Sequence, residues 1–113
     1  MAHSRWKTVR ERKLAEGFSE PDDVAGARQE IRLSMALAQA VHNRRIELGL
    51  TQTELAARAG LTQAKISRIE GSDTVPTLPL LAKLARALDA SLNIALDQDN
   101  TLVSFTGHHS GAA

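Results

Sequence analysis

Two short segments, each predicted to be a helix and each followed by a glycine, constrain the fold of this chain most strongly. Thr51 and Glu54 have the spacing of a capping box, so a helix is predicted over 52–59. Gly60 ends it, because glycine tolerates the left-handed conformation that closes a helix. The same combination of a capping threonine and a terminal glycine predicts a second helix over 63–70. Helices this short are unstable alone, so the pair must pack against other parts of the chain.

A long helix precedes this pair and another helix follows it. Pro21 stands at a typical helix start, and no other proline occurs before Gly49, so one helix is predicted from there to Leu48. Its apolar residues recur at helical spacing in two sets: Ile31, Met35 and Ala38, and Leu33, Leu37, Val41 and Leu48. A leucine-rich stripe that begins after Pro76 predicts the later helix.

After the last helix, the apolar residues alternate instead. Leu92, Ile94 and Leu96 are separated by polar or small residues, which predicts a strand, and a turn at 97–100 allows a second strand over 101–105. The predicted fold is therefore mainly α, with a short C-terminal β-strand or hairpin. We expect an N-terminal extension with the start of the long helix (1–32), a helical domain (33–90), the strand or hairpin (91–106) and a disordered tail (107–113).

The composition excludes several kinds of protein and of site. The 113 residues suffice for one domain, and with 42% hydrophobic but only 3% aromatic residues its core must be aliphatic. The absence of cysteine excludes disulfides, thiolate metal sites and cysteine nucleophiles. No apolar run approaches the roughly 20 residues that span a bilayer, and the N-terminus is polar. We therefore expect a soluble, cytoplasmic protein without membrane contact.

Neither catalysis nor a cofactor is expected. The sequence shows no grouping of His, Asp and Glu and no phosphate-binding glycine loop. His108 and His109 are adjacent, but they lack acidic companions, so no metal site is predicted. The net charge is +1, and every Lys and Arg lies within residues 1–90. An anionic partner is therefore expected to contact that part of the chain.

The two short helices each have faces of different chemistry. The residues expected to meet in a shared core are Leu55, Leu61, Ile66 and Ile69, and Ala56 is small where the two helices must approach closely. The residues left on the outer face of the second helix are Gln63, Ala64, Lys65, Ser67 and Arg68. A polar, basic outer face is typical of a helix-turn-helix, whose second helix enters the major groove of DNA. The alternative is a helical hairpin that serves packing alone.

Five motifs between residues 41 and 92 match one known family in content and spacing. They are RRIELGLTQ (44–52), ELA (54–56), the glycine at 60, KISRIE (65–70) and the leucine-rich helix that follows. In these motifs the chain resembles the XRE-type (lambda/434 repressor-like) helix-turn-helix family. The resemblance implies a lambda-repressor-like helical bundle and a homodimer that binds a palindromic operator in double-stranded DNA.

The resemblance also implies roles for individual residues. It implies base contacts for Gln63, Ala64 and Arg68, and flanking or phosphate contacts for Gln52, Thr62, Lys65 and Ser67. Arg45 and Glu70 match an internal salt bridge, and Arg45 is also expected to reach a phosphate. Ser72, Asp73 and Thr74 stand where relatives often have a basic loop, so the contact of this loop with DNA is expected to be weaker.

The additions at both ends of the domain resemble those of HigA-type antitoxins. That resemblance implies a protein that neutralises a RelE/HigB-like ribonuclease toxin and represses its own operon; the alternative is a stand-alone repressor without a toxin. Apolar residues expected to contact the toxin are Trp6, Val9 and Leu14. Alternatively, Trp6 covers the long helix of its own chain. Leu92, Ile94 and Leu96 are expected to form a dimer contact, or else to close the core of one monomer.

Overall fold

The computed structural model describes residues 22–108 and shows four helices followed by a β-hairpin in that range. The elements are α1 (Asp22–Glu47), α2 (Gln52–Ala59), α3 (Gln63–Glu70), α4 (Leu78–Ala87), β1 (Ala90–Leu96) and β2 (Thr101–Gly107). The predicted mainly α fold with a C-terminal hairpin is confirmed. Residue contacts divide the chain into Met1–Glu30 and Ile31–Ala113, and the features below belong to the second unit. No helix in the described range is both long and apolar enough to cross a membrane.

Local capping contacts set the ends of α2 and α3. The Thr51 hydroxyl accepts a hydrogen bond from the Glu54 amide at 3.0 Å, and the Glu54 carboxylate accepts one from the Thr51 amide at 2.9 Å. Gly60 closes α2 in the left-handed region at φ +68°. After α3 the left-handed residue is Ser72, with φ +64°, whereas Gly71 has φ −85°. The sequence therefore located the end of α3 correctly, although the residue that reverses the chain is the one after the glycine.

The core lies where the C-terminal half of α1 meets the three shorter helices. Its largest fully buried side chains are Leu37, Val41, Leu55, Ile66, Ile69, Leu84 and Leu88. Leu61, which was expected beside them, is partly buried against this cluster. Of the two apolar sets on α1, the set with Leu37 and Val41 faces the core. Of the other set, Ala38 is buried at 4% exposure, whereas Ile31 and Met35 are 59% and 58% exposed.

Arg44 joins α1 to the C-terminal end of α4 and to the hairpin. Its guanidinium donates from Nε to the Leu88 carbonyl at 3.0 Å and from Nη2 to the Asp89 carbonyl at 3.1 Å. It also pairs with Glu47 on its own helix. A Cβ on Gly107 would lie 3.0 Å from Nη2, so β2 approaches this guanidinium closely. The arginine thus satisfies two carbonyls at the helix end and fixes the start of the hairpin.

The hairpin is antiparallel, and its two ends differ in burial. Leu92 pairs with Phe105 at the base, where both pack against the core, whereas Leu96 pairs with Thr101 near the turn and is 57% exposed. Gly107 was expected in the disordered tail; instead it pairs with Ala90 as the last residue of β2. The prediction is wrong for Gly107 because the sequence does not distinguish a glycine that leaves room for a distant side chain from a glycine in a disordered tail. Residues 109–113 of the predicted tail lie outside the described range.

We predict that Arg44→Met lowers the free energy of unfolding by about 1–3 kcal/mol, because two carbonyls at the end of α4 lose their charged donor. Urea titration followed by circular dichroism measures the change. Glu47→Ala is the matched control, since it removes the exposed partner and should cost less than about 0.5 kcal/mol. Equal losses in the two variants would contradict the anchoring role of Arg44.

Candidate nucleic-acid interface

The outer face of α3 carries exposed polar and basic side chains on a rigidly packed helix. Ile66 and Ile69 are fully buried and fix the orientation of α3 about its axis. The residues that this orientation leaves exposed are Thr62, Gln63, Ala64, Ser67 and Arg68, with Lys65 half-buried beside them. The structure thus places together on one surface all six α3-side residues that the sequence singled out. The surface is polar and basic and is formed by a helix, which suits the major groove.

A buried ion pair connects this helix to α1. Arg45 is 8% exposed, and its guanidinium donates to both oxygens of Glu70, from Nε to Oε2 at 2.7 Å and from Nη2 to Oε1 at 2.9 Å. The remaining nitrogen, Nη1, donates to the Leu50 carbonyl at 2.8 Å. The salt bridge implied by the family resemblance is therefore present. It joins α1, the turn before α2 and the C-terminal end of α3 through a single side chain.

The ion pair alters the protonation of both partners. Burial by itself raises the pKa of Glu70, but the hydrogen bonds from Arg45, then His42 and Gln52, together lower the pKa below its ordinary value. The hydrogen bond to Glu70 raises the pKa of Arg45, against a smaller opposing effect of burial. Both groups therefore remain charged at neutral pH.

Two glutamine side chains extend this network to the exposed face. Gln52 donates from Nε2 to Glu70 Oε1 at 3.4 Å, and its carbonyl oxygen accepts a hydrogen bond from Gln63 Nε2 at 2.7 Å. The carboxylate sets the orientation of the Gln52 amide, because only its nitrogen can donate to an anion. Gln63 is left with its carbonyl oxygen and one N–H for a ligand. A paired acceptor and donor of this kind matches the N6 and N7 edge of adenine.

His42 is a member of the network that the sequence did not identify. Its side chain is 48% exposed. Its Nδ1, however, lies 3.0 Å from Glu70 Oε1 and 3.3 Å from Arg45 Nη2. The spacing of three residues from Arg45 on one helix was an available signal. The contact with α3 required the tertiary structure.

The loop between α3 and α4 lies beside the recognition surface. Buried Ser34 on α1 donates its hydroxyl to the Ser72 carbonyl at 3.0 Å, which fixes the left-handed turn. Asp73, which stands where relatives often have a basic loop residue, is exposed. Lys65 and Lys83 line one pocket at the start of α4. The positive charge beside α3 is therefore supplied by lysines on two helices and not by the loop.

The remaining predicted contact residues lie on the hairpin or outside the described part of the chain. Trp6, Val9 and Leu14 lie outside the described residues. On the hairpin, Leu92 packs against the core, whereas Ile94 and Leu96 are exposed. Within residues 22–108, no three His, Asp or Glu side chains gather where they could hold a metal ion.

We predict that Glu70→Gln lowers the free energy of unfolding at pH 7 by about 3 kcal/mol, because Arg45 keeps a buried charge without a counter-ion. Since the pKa of Glu70 is lowered in the folded state, its contribution is present above the ordinary value of 4.5 and is lost as the pH falls below it. Urea titrations should therefore show that, between pH 7 and about pH 3, the free energy of unfolding decreases less in the variant than in the parent. An equal pH dependence in both proteins would contradict this assignment.

Comparison with known proteins agrees with this geometry. A model of the helix-turn-helix family matches residues 41–94. An uncharacterised HTH-type transcriptional regulator of Methanothermobacter thermautotrophicus is 46% identical over 48 residues, which cover 42% of this chain and 70% of that protein. The antitoxin HigA1 of Mycobacterium tuberculosis is 31% identical over 84 residues, which cover 74% of this chain.

The chain spans 56% of the length of HigA1 and 24% of another curated regulator, y4dL of Sinorhizobium fredii. Among solved structures, an HTH_3 family transcriptional regulator from Vibrio cholerae superposes with a TM-score of 0.54 at 29% identity, over 55% of this chain and 35% of that chain. Sequence motifs, fold and relatives agree, and the chain belongs to the XRE-type helix-turn-helix family of transcriptional regulators.

Proposed function

We propose that this chain is the antitoxin of a type II toxin–antitoxin pair, which neutralises a RelE/HigB-like ribonuclease and represses its own operon by sequence-specific DNA binding as a dimer. The observation that carries the DNA-binding part is the hydrogen-bonded chain from Glu70 through Gln52 to Gln63. A scaffold needs no glutamine pair on an exposed face, whereas base recognition needs an amide of defined orientation.

In this proposal α3 lies in the major groove. Gln63 reads an adenine through its free carbonyl oxygen and N–H, and Arg68 donates to guanine O6 and N7. Ala64 provides apolar contact with a thymine methyl group. These are the exposed side chains of the first two turns of α3 and of its outer face.

Phosphate contacts surround these base contacts. Thr62 and Gln52 lie at the N-terminal ends of α3 and α2, where helix dipoles favour an anion. Lys65 and Ser67 continue the contact along α3. Arg45 is 8% exposed and has every donor nitrogen engaged, so its role is to hold the helices rather than to bind phosphate.

The dimer is proposed to form through the half of the hairpin nearer its turn and through the adjacent face of α4. Leu92 and Ile94 line an apolar groove with Leu78, Leu81 and two alanines of α4. Leu78 and Leu96 are exposed on the same side. One helix-turn-helix reads few base pairs, so two copies on a twofold axis are needed to recognise a palindrome.

The toxin-binding part is supported by the extent of the similarity to HigA1. The aligned segment of 84 residues is longer than the helix-turn-helix match over 41–94 by about thirty residues, so it includes additions at the ends of the domain. The matched regulators from other organisms are similar over 46 to 66 residues. A stand-alone repressor remains the second candidate, supported by those shorter matches.

For the DNA contacts, we predict that Arg68→Ala weakens binding to a duplex selected from a random pool by about 1–3 kcal/mol and relaxes the preference at one base pair. Fluorescence anisotropy with single-base variants of the duplex measures both effects. Arg86→Ala, which removes an exposed arginine from α4, is the control and should retain the preference. A uniform loss across all duplexes would instead make Arg68 a phosphate contact.

For the dimer, we predict that Ile94→Lys combined with Leu96→Lys converts the protein to a monomer in sedimentation velocity experiments, because two charges would be buried in an apolar interface. Leu102→Lys is the matched control. Leu102 is exposed on the same hairpin but pairs with Ala95, so it faces the opposite side and its substitution should leave the dimer intact. Dissociation by the control variant alone would place the interface on the other face.

For the toxin, we predict that a tagged full-length chain retains a small basic ribonuclease from an extract of its host. The combined variant Trp6→Ala, Val9→Ala and Leu14→Ala should lose this protein, because apolar anchors dominate such interfaces. Arg68→Ala should retain the ribonuclease while it loses DNA specificity. Recovery of DNA and a second copy without a ribonuclease would favour the stand-alone repressor.

A further inference from the structure

A pocket lies between α3 and the start of α4, on the flank of the recognition surface. It has a volume of about 340 Å³, and its walls come from Lys65 on α3, from the loop over 74–77 and from the first two turns of α4, which include Lys83. We call it the lysine pocket. Its base is fixed in place, because Pro76 is buried and Val75 packs against the core. Two helices therefore hold both lysines around one preformed hollow.

The charge of the lysine pocket is positive and unbalanced. Its lining residues include two lysines and no carboxylate. Within residues 22–108, neither lysine forms an ion pair. Asp73 directly precedes the loop, yet it does not line the pocket. Two ammonium groups around one hollow repel each other, and an anion between them removes that repulsion and accepts charge-assisted hydrogen bonds from both. The pocket therefore suits a compact anion with several acceptor oxygens, such as a phosphate group.

The lysine pocket lies on the side of α3 that would face the DNA backbone if α3 occupied the major groove. Lys65 belongs to the first turn of α3, two residues after Gln63. The phosphate backbones border the groove, so an element that flanks a recognition helix meets phosphates rather than base edges. Relatives often have a basic loop here, whereas this chain has residues 72–74, which include an aspartate. Lysines on two helices thus supply the charge that the loop lacks.

We propose that Lys65 and Lys83 together bind one phosphate of the DNA backbone in the lysine pocket, so that α4 contacts DNA in addition to the helix-turn-helix. This inference rests on the proposed insertion of α3 into the major groove. It assigns Lys83 to the DNA interface, a role that neither the motifs nor the family resemblance gave it. Neither lysine reads a base, so the shared phosphate fixes the register of α3 on the duplex and adds affinity that is independent of sequence.

A shared phosphate has a distinctive effect on salt dependence. The slope of log K against log [salt] changes by about 0.9 for each phosphate that a protein neutralises. Lys65→Gln and Lys83→Gln each leave one ammonium group on the phosphate. Either variant should therefore bind about two- to fivefold more weakly with a nearly unchanged slope, whereas the double variant should lose about 0.9 of slope per bound protomer.

Two other results of the salt titrations would overturn the inference. If the lysines bound separate phosphates, each single variant would lose about 0.9 of slope and the double variant about 1.8. If Lys83 did not touch DNA, Lys83→Gln would behave as the parent and the double variant as Lys65→Gln.

Neutral methylphosphonate linkages identify the phosphate directly. A duplex is selected from a random pool with the full-length parent chain, and a methylphosphonate then replaces each phosphate of one half-site in turn. At one position outside the base contacts, the replacement should weaken binding of the parent by about three- to tenfold and leave binding of the double variant unchanged. The comparison separates a phosphate of DNA from a free phosphate ion, because a pocket that serves a free ion would not respond to the neutralisation of any one linkage.

Arg86→Gln is the matched control, since it removes one positive charge from an exposed position of α4 that does not line the lysine pocket. It should retain the sensitive linkage and the slope of the parent. Circular dichroism checks that each variant is folded. Equal sensitivity of the parent and the double variant at every linkage would overturn the inference and leave DNA binding by α3 intact. If the parent selects no duplex, the proposed function itself fails and the inference fails with it.

Discussion

The bidentate ion pair between Arg45 and Glu70 is the interaction on which the recognition surface depends. Two charges with little solvent access are stable only while each satisfies the other, so the pair tolerates one relative placement of α1 and α3. The third donor of Arg45 binds the Leu50 carbonyl and thereby fixes the entry into α2. A helix of eight residues has few contacts of its own. The ion pair therefore fixes the orientation of α3 relative to α1, which those few contacts alone would not fix.

The next residue along α1 secures the opposite flank of the domain. Arg44 binds the carbonyls at the end of α4, and β2 packs against its guanidinium at Gly107. Adjacent residues on a helix point about 100° apart, so neighbouring arginines reach different elements. One turn of α1 therefore fixes the helix-turn-helix through Arg45 and the hairpin through Arg44. The two surfaces proposed to bind DNA and a second copy are held by the same rigid helix.

Elements with local signals were predictable from the sequence, and contacts between distant residues were not. The boundaries of α2 and α3 agree with the prediction residue by residue, because capping threonines and terminal glycines act within four residues of the helix end. The strand pattern likewise located the hairpin. The assignment of Gly107 to a disordered tail was wrong, since the side chain that it contacts, Arg44, lies far away in the chain. The contact of His42 with Glu70 spans 28 positions, so no local pattern revealed it.

The sequence by itself determined where the helices begin and end, which face of α3 is polar, and which family the motifs resemble, because these properties depend on neighbours within a few turns. The family resemblance also supplied the partnership of Arg45 and Glu70. The tertiary structure decided which donors share the oxygens of Glu70, how the Gln52 amide is oriented, and which hairpin residues stay exposed. The physical reason is that hydrogen bonds of side chains act over about 3 Å, and only packing brings distant segments that close.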